Sequence, residues 1–174
     1  MKSPNIFTVY KPIGPTSFDI IAKIKRATGE QKVGHAGTLD PLAEGVLVVG
    51  LGKEATRQLT DIVQKEKEYI ANIKLGVFST TDDEEGEKRK TQNLPTCRQV
   101  QKRITLNEIK DVVKKIIGTI DQTPPIHSAI KVAGRRAYKL ARAGQAVNLK
   151  SRPVDIKSIK ILQYKYPNLK IKVV

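Results

Sequence analysis

The sequence predicts an α+β fold in which a mixed, mainly antiparallel sheet is flanked by helices. Segments typical of strands and of helices interleave irregularly along the 174 residues, unlike the regular alternation of a doubly wound sheet. The sequence also lacks the glycine patterns of nucleotide-hydrolase and dinucleotide-binding loops, so no nucleotide cofactor is expected. The length suits one domain of ordinary size with a buried core.

The N-terminal third alternates short strands with amphipathic helices. β-branched and aromatic runs indicate the strands, and apolar residues at helical spacing indicate the helices. The predicted elements are a strand at 6–10, a helix at about 18–27 capped by Ser17 and stopped at Thr28 and Gly29, an irregular stretch at 31–45, a strand at 46–49 and a helix at about 54–64.

The remaining two thirds contain more strands than helices. Alternation of apolar and polar residues indicates the strands, and a Thr105–Glu108 capping box marks the start of the main helix. The predicted elements are a half-buried strand at 69–77, an acidic loop, a helix at about 106–117 ended by Gly118, a Pro-rich connection at 121–125, a short strand near 128–132, a short helix at 135–143 closed by Gly144, and strands at 154–166 and 169–174 joined at Pro167 and Asn168.

The charge is strongly basic. The chain has 32 Lys and Arg against 17 Asp and Glu, a net charge of +15. Five of the acidic residues lie between Asp82 and Glu87, so the rest of the chain has 32 basic against 12 acidic residues. Such a body attracts polyanions, most simply nucleic acid. The alternative is a lysine surface that only keeps the protein soluble.

The composition also argues against several classes of protein. Apolar runs are only a handful of residues long, so no membrane-spanning helix is predicted, and the first residues lack the apolar stretch of a secretory signal. One cysteine excludes an internal disulfide, and two histidines form no metal-ligand cluster. We therefore expect a cytoplasmic protein that binds no membrane and has no metal site.

The loop G-H-A-G-T-L-D-P-L-A-E-G at 34–45 is the most unusual segment. Its three glycines permit positive φ or a close approach of the backbone to a ligand. Pro41 biases Asp40 away from helical backbone, so the Asp40 carboxylate is expected to project from an extended or turn conformation. This arrangement suits a reactive carboxylate. The more common role of an Asp-Pro pair is simply to begin a turn.

This loop resembles the catalytic motif of the bacterial tRNA pseudouridine-55 synthase family, the TruB type. Four other segments resemble motifs of the same family in the same order. They are K-P-I-G-P-T-S at 11–17, K-E-Y at 67–69, S-T-T-D-D-E-E-G at 79–86, where Ser79 replaces a threonine, and a long signature at 122–144. The resemblance implies a pseudouridine synthase-like catalytic domain and an enzyme that isomerises uridine to pseudouridine at position 55, in the T-arm loop of tRNA.

The resemblance also implies a mechanism without metal or organic cofactor. Asp40 matches the essential aspartate, acting either as a nucleophile or as a base that removes a sugar proton. Arg142 matches the arginine that would keep this carboxylate ionised. Tyr69 matches the tyrosine that would stack on the extruded uracil and handle the proton on carbon 5. Taken alone, Arg142 would be a solvated helix charge and Tyr69 a core aromatic.

Further residues are expected to bind the RNA. His35 matches the histidine that enters the RNA loop and helps to hold the base out. Leu140 replaces an aromatic residue of the family's pocket, and Tyr138 and Lys131 belong to the long signature. The candidates for phosphate contacts are Lys11, Lys53, Arg57, Lys131, Arg135, Arg136 and Arg152.

The family continues beyond the match with a K-G-x-Y-I-R strand and usually a small C-terminal RNA-binding domain. Because this sequence stops at Val174, we expect residues 1–174 to be an incomplete catalytic domain, either a fragment or a natural short form, with weak or absent activity on its own. We expect it to be a monomer that binds the T-arm stem-loop. The alternatives are a non-catalytic RNA-binding module and a guide-RNA-dependent relative, against which the compact long signature argues.

Overall fold

The computed structural model describes residues 5–63, 66–81, 83–90, 103–126, 130–132, 134–145 and 148–174. The chain forms two compact units, Met1–Glu66 and Lys67–Val174, and each is described by itself. The expectation that residues 1–174 form a single catalytic domain stays a prediction. None of the described helices is long and apolar enough to cross a membrane.

The first unit is a small antiparallel sheet with two helices. Its elements are β1 (Asn5–Lys11), α1 (Ser17–Thr28), β2 (Val33–Ala36), β3 (Gly45–Leu51) and α2 (Lys53–Val63). The strand order is β1-β3-β2, with β3 in the centre. Ile20 and Ile21 of α1 pack against Leu47 and Val49 of β3 to form the core.

Helix α1 begins one residue earlier than predicted. Thr16, not Ser17, is its N-cap: the Thr16 side chain accepts a hydrogen bond from the Asp19 backbone N–H, and the Asp19 carboxylate accepts one from the Thr16 N–H. This reciprocal capping box satisfies two backbone donors at the helix start. Ser17 is instead buried inside the first turn, where its hydroxyl is available for another role.

Strand β2 was missed because the stretch at 31–45 has no strong β-branched pattern. Its residues pair with the central strand β3, so His35 lies opposite Val49 and Gly34 opposite Gly50. The two glycines lie under α2: a Cβ on Gly50 would be 3.0 Å from the backbone carbon of Ala55, and one on Gly34 would be 3.1 Å from the Thr56 methyl. The paired glycines therefore allow α2 to pack closely on the strands.

The second unit contains the remaining elements. They are β4 (Tyr69–Lys74), β5 (Val77–Ser79), β6 (Lys88–Lys90), α3 (Leu106–Lys115), β7 (Gly118–Gln122), β8 (Lys131–Val132), β9 (Arg135–Arg136), α4 (Ala137–Arg142), β10 (Arg152–Ile156), β11 (Ile159–Lys165) and β12 (Asn168–Val173). All described strand pairings are antiparallel: β11-β12-β4 form one sheet, and β10-β7, β5-β6 and β8-β9 form two-stranded sheets.

The core of the second unit lies between α3 and the β11-β12-β4 sheet. Ile109 of α3 is buried against Leu169 and Ile171 of the central strand β12. The capping box predicted for α3 is confirmed, with Thr105 and Glu108 exchanging hydrogen bonds. The residues of the three strands that pack in this core all lie on one face of the sheet.

Several predicted boundaries in the second unit were wrong. The strand predicted at 69–77 is divided by a turn in which Gly76 has a φ of 76°, and the strand predicted at 154–166 is divided where Lys157 and Ser158 donate to the Val174 carbonyl. The predicted short helix at 135–143 begins only at Ala137. Part of the strand predicted near 128–132 lies outside the described residues.

Candidate active site

Asp40 begins a tight turn in the loop between β2 and β3. Its carbonyl accepts a hydrogen bond from the Ala43 N–H at 3.0 Å, with Pro41 at the position where its fixed φ favours such a turn. The turn role expected of an Asp-Pro pair is therefore confirmed for the backbone.

The Asp40 carboxylate makes no hydrogen bond or ion pair within the described part of the chain, and Asp40 is exposed. An aspartate that serves only a turn commonly uses its side chain to accept from a backbone N–H two residues later. Here the backbone of the turn is bonded, while the side-chain oxygens have no partner among the described residues. The geometry leaves the carboxylate available to a ligand.

Three residues of the segment at 11–17 hold this turn through hydrogen bonds to its backbone. The Ser17 hydroxyl donates to the Leu39 carbonyl and accepts from the Leu39 N–H, both at 3.0 Å. The Gly14 N–H donates to the Pro41 carbonyl at 2.8 Å. Both contacts involve the backbone immediately before or after Asp40, so they restrict where its carboxylate can lie.

Lys11 supplies the third attachment, and the expectation that it contacts phosphate does not fit its position. Its side chain is 0% exposed, and Nζ donates to the carbonyls of Pro12 at 2.9 Å and Ala43 at 2.7 Å. A buried ammonium group that donates to main-chain carbonyls cannot reach RNA without losing these bonds. We therefore assign Lys11 a positioning role in the turn.

Tyr10 attaches the end of the same loop. Its hydroxyl donates to the Glu44 carboxylate, and this hydrogen bond raises the pKa of Tyr10, with smaller contributions from desolvation and from the Glu44 charge. Strand β1 and the segment after it thus contact positions 39, 41, 43 and 44 of the loop. The loop is fixed at both ends of the Asp40 turn.

His35 lies on β2, in the same unit as Asp40. Its Nδ1 donates to the Gly37 carbonyl at 2.6 Å, because a carbonyl oxygen can only accept. The Phe18 ring meets the His35 ring edge-on, with centroids 5.6 Å apart and an interplanar angle of 86°. Phe18 is 73% exposed, so this aromatic pair is open to solvent.

The contacts of two neighbouring residues were not predicted from the sequence. Ser17 was expected to cap a helix, and no role was expected for Phe18, although an exposed aromatic residue at the start of an amphipathic helix, off its apolar stripe, is an available signal. Neither the Ser17–Leu39 bonds nor the Phe18–His35 contact can be found from spacing, because the partners are 22 and 17 positions away.

The other predicted site residues belong to the second unit. Tyr69 is the first residue of β4 and is 54% exposed, so it is not the core aromatic that was the alternative. Leu140 is half-buried on α4. Positions 138 and 142 lie on α4 and position 131 on β8, but the side chains of Tyr138, Arg142 and Lys131 lie outside the described part of the structure. Pairing of Asp40 with Arg142 stays a prediction.

A family model and curated relatives of known name both match this chain to pseudouridine synthases. The profile of the TruB family pseudouridylate synthase (N terminal domain) matches residues 25–174. The tRNA pseudouridine synthase B of Clostridium novyi (strain NT) is 42% identical over 168 residues, 97% of this chain and 55% of the relative. That of Thermobifida fusca (strain YX) is 46% identical over 151 residues, 87% of this chain and 49% of the relative. The chain spans about half the length of these curated relatives.

Solved structures support the same fold. A chain in the crystal structure of a Cbf5-Nop10-Gar1 complex superposes with a TM-score of 0.67 at 27% identity, over 97% of this chain and 38% of the solved chain. A chain of the archaeal box H/ACA sRNP Nop10-Cbf5 complex gives a TM-score of 0.61 at 25% identity, covering 97% and 36%. The predicted α+β class is thereby confirmed. The chain belongs to the TruB family of pseudouridylate synthases, and residues 25–174 correspond to that family's N-terminal domain.

Proposed function

We propose that this chain is the catalytic portion of a tRNA pseudouridine-55 synthase, which converts uridine to pseudouridine in the T-arm loop. The observation that supports this most directly is the Asp40 carboxylate, exposed and unbonded within the described residues while the backbone around it is held by Lys11, Gly14 and Ser17. Identities of 42% and 46% to relatives named tRNA pseudouridine synthase B favour tRNA over a guide-RNA-dependent substrate.

The proposed reaction is an isomerisation. The bond between uracil N1 and ribose C1′ breaks, the uracil rotates, and a bond forms between C5 and C1′. The proton on C5 is lost and N1 gains one, so atoms and charge balance without a redox partner. The Asp40 carboxylate would either attack the nucleotide as a nucleophile or remove a proton from the sugar, and both roles need it ionised.

The target uridine would leave its stack before it reacts, at a cost of about a few kcal/mol. We assign His35 to the space that the extruded base vacates, and Tyr69 to stacking on that base and to proton transfer at C5. Arg142 would keep the Asp40 carboxylate ionised. Leu140 and Tyr138 would line the uracil pocket, and Lys131 would contact the RNA backbone. The protein would act as a cytoplasmic monomer.

The decisive experiment replaces one oxygen of the carboxylate. Asp40→Asn should abolish tritium release from tRNA that contains 5-tritiated uridine, because an amide can neither attack nor accept the proton efficiently. The assay should use single-turnover conditions with the chain in excess over tRNA, so that slow turnover is still measured. Affinity for tRNA should stay within a few fold of the wild type.

Asp61→Asn is the matched control, since it makes the same change at an exposed position of α2. It should leave tritium release unchanged. If Asp40→Asn releases tritium at the wild-type rate, Asp40 is not the catalytic group. If the wild-type chain binds tRNA tightly but releases no tritium in the same assay, the non-catalytic RNA-binding module is the better description.

A further inference from the structure

One face of the β11-β12-β4 sheet is covered with lysines. The register places on one side the apolar residues that pack toward α3, such as Ile161, Ile171 and Ala71, which are aligned across the three strands. All lysines of these strands point to the other side. We call this side the lysine face; its lysines are Lys74, Lys160, Lys165, Lys170 and Lys172.

The lysine face is arranged in cross-strand rows. One row contains Lys165, Asn168 and Lys74, the next Gln163, Lys170 and Asn72, and the third Lys160, Lys172 and Ile70. None of the three strands contains an Asp or Glu. Neighbouring strands are about 4.8 Å apart and alternate residues about 6.8 Å apart, so the lysines form a dense two-dimensional array.

This array has a cost to stability that the fold does not require. Lys160 and Lys172 are directly opposite on neighbouring strands, and like charges in this position destabilise a sheet. Glu68 offsets part of the repulsion through an ion pair with Lys172 at 2.9 Å. Exposed positions of an antiparallel sheet accept Thr or Glu as readily as Lys. The concentration of one charge therefore points to an anionic ligand.

The surface is concave where six of its polar positions meet. A groove of about 560 Å³ is lined by Asn72, Lys74, Gln163, Lys165, Asn168 and Lys170, among others. Glu84 also lines it, and it is bonded to Lys88 at 2.5 Å. That hydrogen bond, with a smaller contribution from the Lys74 charge, lowers the pKa of Glu84. Glu84 is thus an acidic group at the edge of a basic groove.

The chemistry of the lysine face distinguishes between kinds of nucleic acid. Single-stranded nucleic acids are usually bound by aromatic side chains that stack on the bases, and the lysine face contains no aromatic residue. Duplex RNA is recognised through phosphates and 2′-hydroxyls in its shallow groove. Lysines supply the phosphate contacts, and Asn72, Gln163 and Asn168 supply amides that can both donate to and accept from a hydroxyl.

We propose that the lysine face is a docking surface for the backbone of an RNA duplex, and that a stem of the substrate tRNA occupies it. The identification of that duplex as tRNA rests on the proposed function. The docking itself rests only on the register, charge and amide content of the sheet.

The test removes three lysines that form no ion pair within the described part of the chain. K160Q/K165Q/K170Q should bind a tRNA transcript and a short RNA duplex about 10-fold or more weakly at low salt, and the slope of log Kd against log salt should fall by about 2–3, at roughly 0.7–0.9 for each lost contact. K110Q/K114Q/K115Q is the matched control, because it removes the same charge from the exposed side of α3, across the sheet. It should change the slope of log Kd against log salt by less than about 0.9, the value expected for one phosphate contact.

A second variant tests the sign of the effect. Glu84→Gln removes the negative charge from the groove and should strengthen binding of the RNA duplex by a few fold, in the opposite direction to the lysine variant. If both triple variants weaken binding equally, the effect is one of net charge and the lysine face is not a docking surface. If Glu84→Gln does not strengthen binding, the groove is not the place where the duplex lies.

Two further probes identify the occupant. A DNA duplex of the same sequence should bind more weakly than RNA, because it lacks 2′-hydroxyls; equal binding overturns the assignment to RNA. Polyglutamate is the second probe. If K160Q/K165Q/K170Q loses binding of polyglutamate but keeps binding of RNA, the occupant is an acidic protein instead. Failure of the proposed function gives a different result. The wild-type chain then releases no tritium, while the lysine variant still changes the slope of log Kd against log salt.

Discussion

At the scale of single residues, the backbone of the Asp40 turn is held by hydrogen bonds, while the Asp40 side chain has no partner among the described residues. Ser17, Gly14 and Lys11 hold the turn through hydrogen bonds to main-chain atoms at 39, 41 and 43, and none of them bonds to the carboxylate. A charged group held in this way keeps its geometry without losing its reactivity to a neighbour. The same arrangement predicts that loss of a positioning residue affects rate more than it affects RNA binding.

Ser17→Ala should lower the single-turnover rate about 10- to 100-fold, because Leu39 and with it Asp40 would shift by a fraction of an ångström to an ångström. Leu39 is half-buried, and its N–H and carbonyl would lose their partner, at a cost of about 1–3 kcal/mol in the free energy of unfolding, measured in urea. Ser158→Ala, which removes an exposed hydroxyl in the second unit, is the control. An unchanged rate would show that the Ser17 hydroxyl does not position Asp40.

Lys11→Met distinguishes positioning from phosphate contact. Because Nζ is buried and donates to the carbonyls of Pro12 and Ala43, the variant should lose about 1–3 kcal/mol in the free energy of unfolding where the half-buried Ala43 carbonyl is left without a donor, together with most of its activity. The salt dependence of tRNA binding should not change. A phosphate contact would instead lower the slope of log Kd against log salt by about 0.9, with little loss of stability.

At the scale of elements, helix α1 depends on its capping box. Hydrogen bonds from the Thr16 side chain and backbone lower the pKa of Asp19 below its ordinary value of 3.8. A carboxyl whose pKa is lower in the folded state stabilises that state above its unfolded-state pKa, and this contribution is lost as the pH falls through the folded-state value. Helix α1 also supplies Ser17, so its start and the Asp40 turn are coupled.

Asp19→Asn should therefore destabilise the protein at pH 7, and its difference from the wild type in urea unfolding should shrink as the pH falls below 3.8. Thr16→Ala removes the other half of the box and should cost about 1 kcal/mol at neutral pH. If the free energy of unfolding of Asp19→Asn is lower than that of the wild type by the same amount from pH 7 to well below 3.8, the ionised carboxylate is not what stabilises the cap.

At the scale of the whole molecule, the net charge of +15 is distributed unevenly. Five lysines lie on a single sheet face, while the acidic residues after Thr81 lie in the connection between β5 and β6, where Glu84 reaches the edge of that face. Total charge predicts an anionic partner. Its distribution predicts where the partner binds and how steeply salt competes with it.

Binding of tRNA to the wild-type chain should accordingly be steep in salt. If the five lysines each neutralise a phosphate, they contribute a slope of about 4 to log Kd against log salt, before any contact by the first unit is counted. Titration by fluorescence anisotropy over a range of salt concentrations measures this slope directly. A slope below about 2 would mean that most of these lysines do not face the RNA.

Several features of this protein depend only on near neighbours and were therefore determined by the sequence alone. Both capping boxes, the amphipathic helices and the turn at Asp40 and Pro41 follow from residues within about four positions of each other. The family motif at 34–45 belongs with them, because its glycines and its aspartate are adjacent. One cap was assigned a residue too late, since Thr16 and Ser17 are both good N-caps and only the Asp19 bond distinguishes them.

Other features were decided only by the tertiary structure. Three of them depend on partners 14 to 32 positions away in the sequence. They are the burial of Lys11, the two hydrogen bonds between Ser17 and Leu39, and the strand that contains His35. The lysine face needs a register across three strands, which a shift of one residue would reverse. Alternation predicts that a strand has two faces, but which lysines share one surface depends on pairing, and pairing is settled by how the apolar side packs against α3.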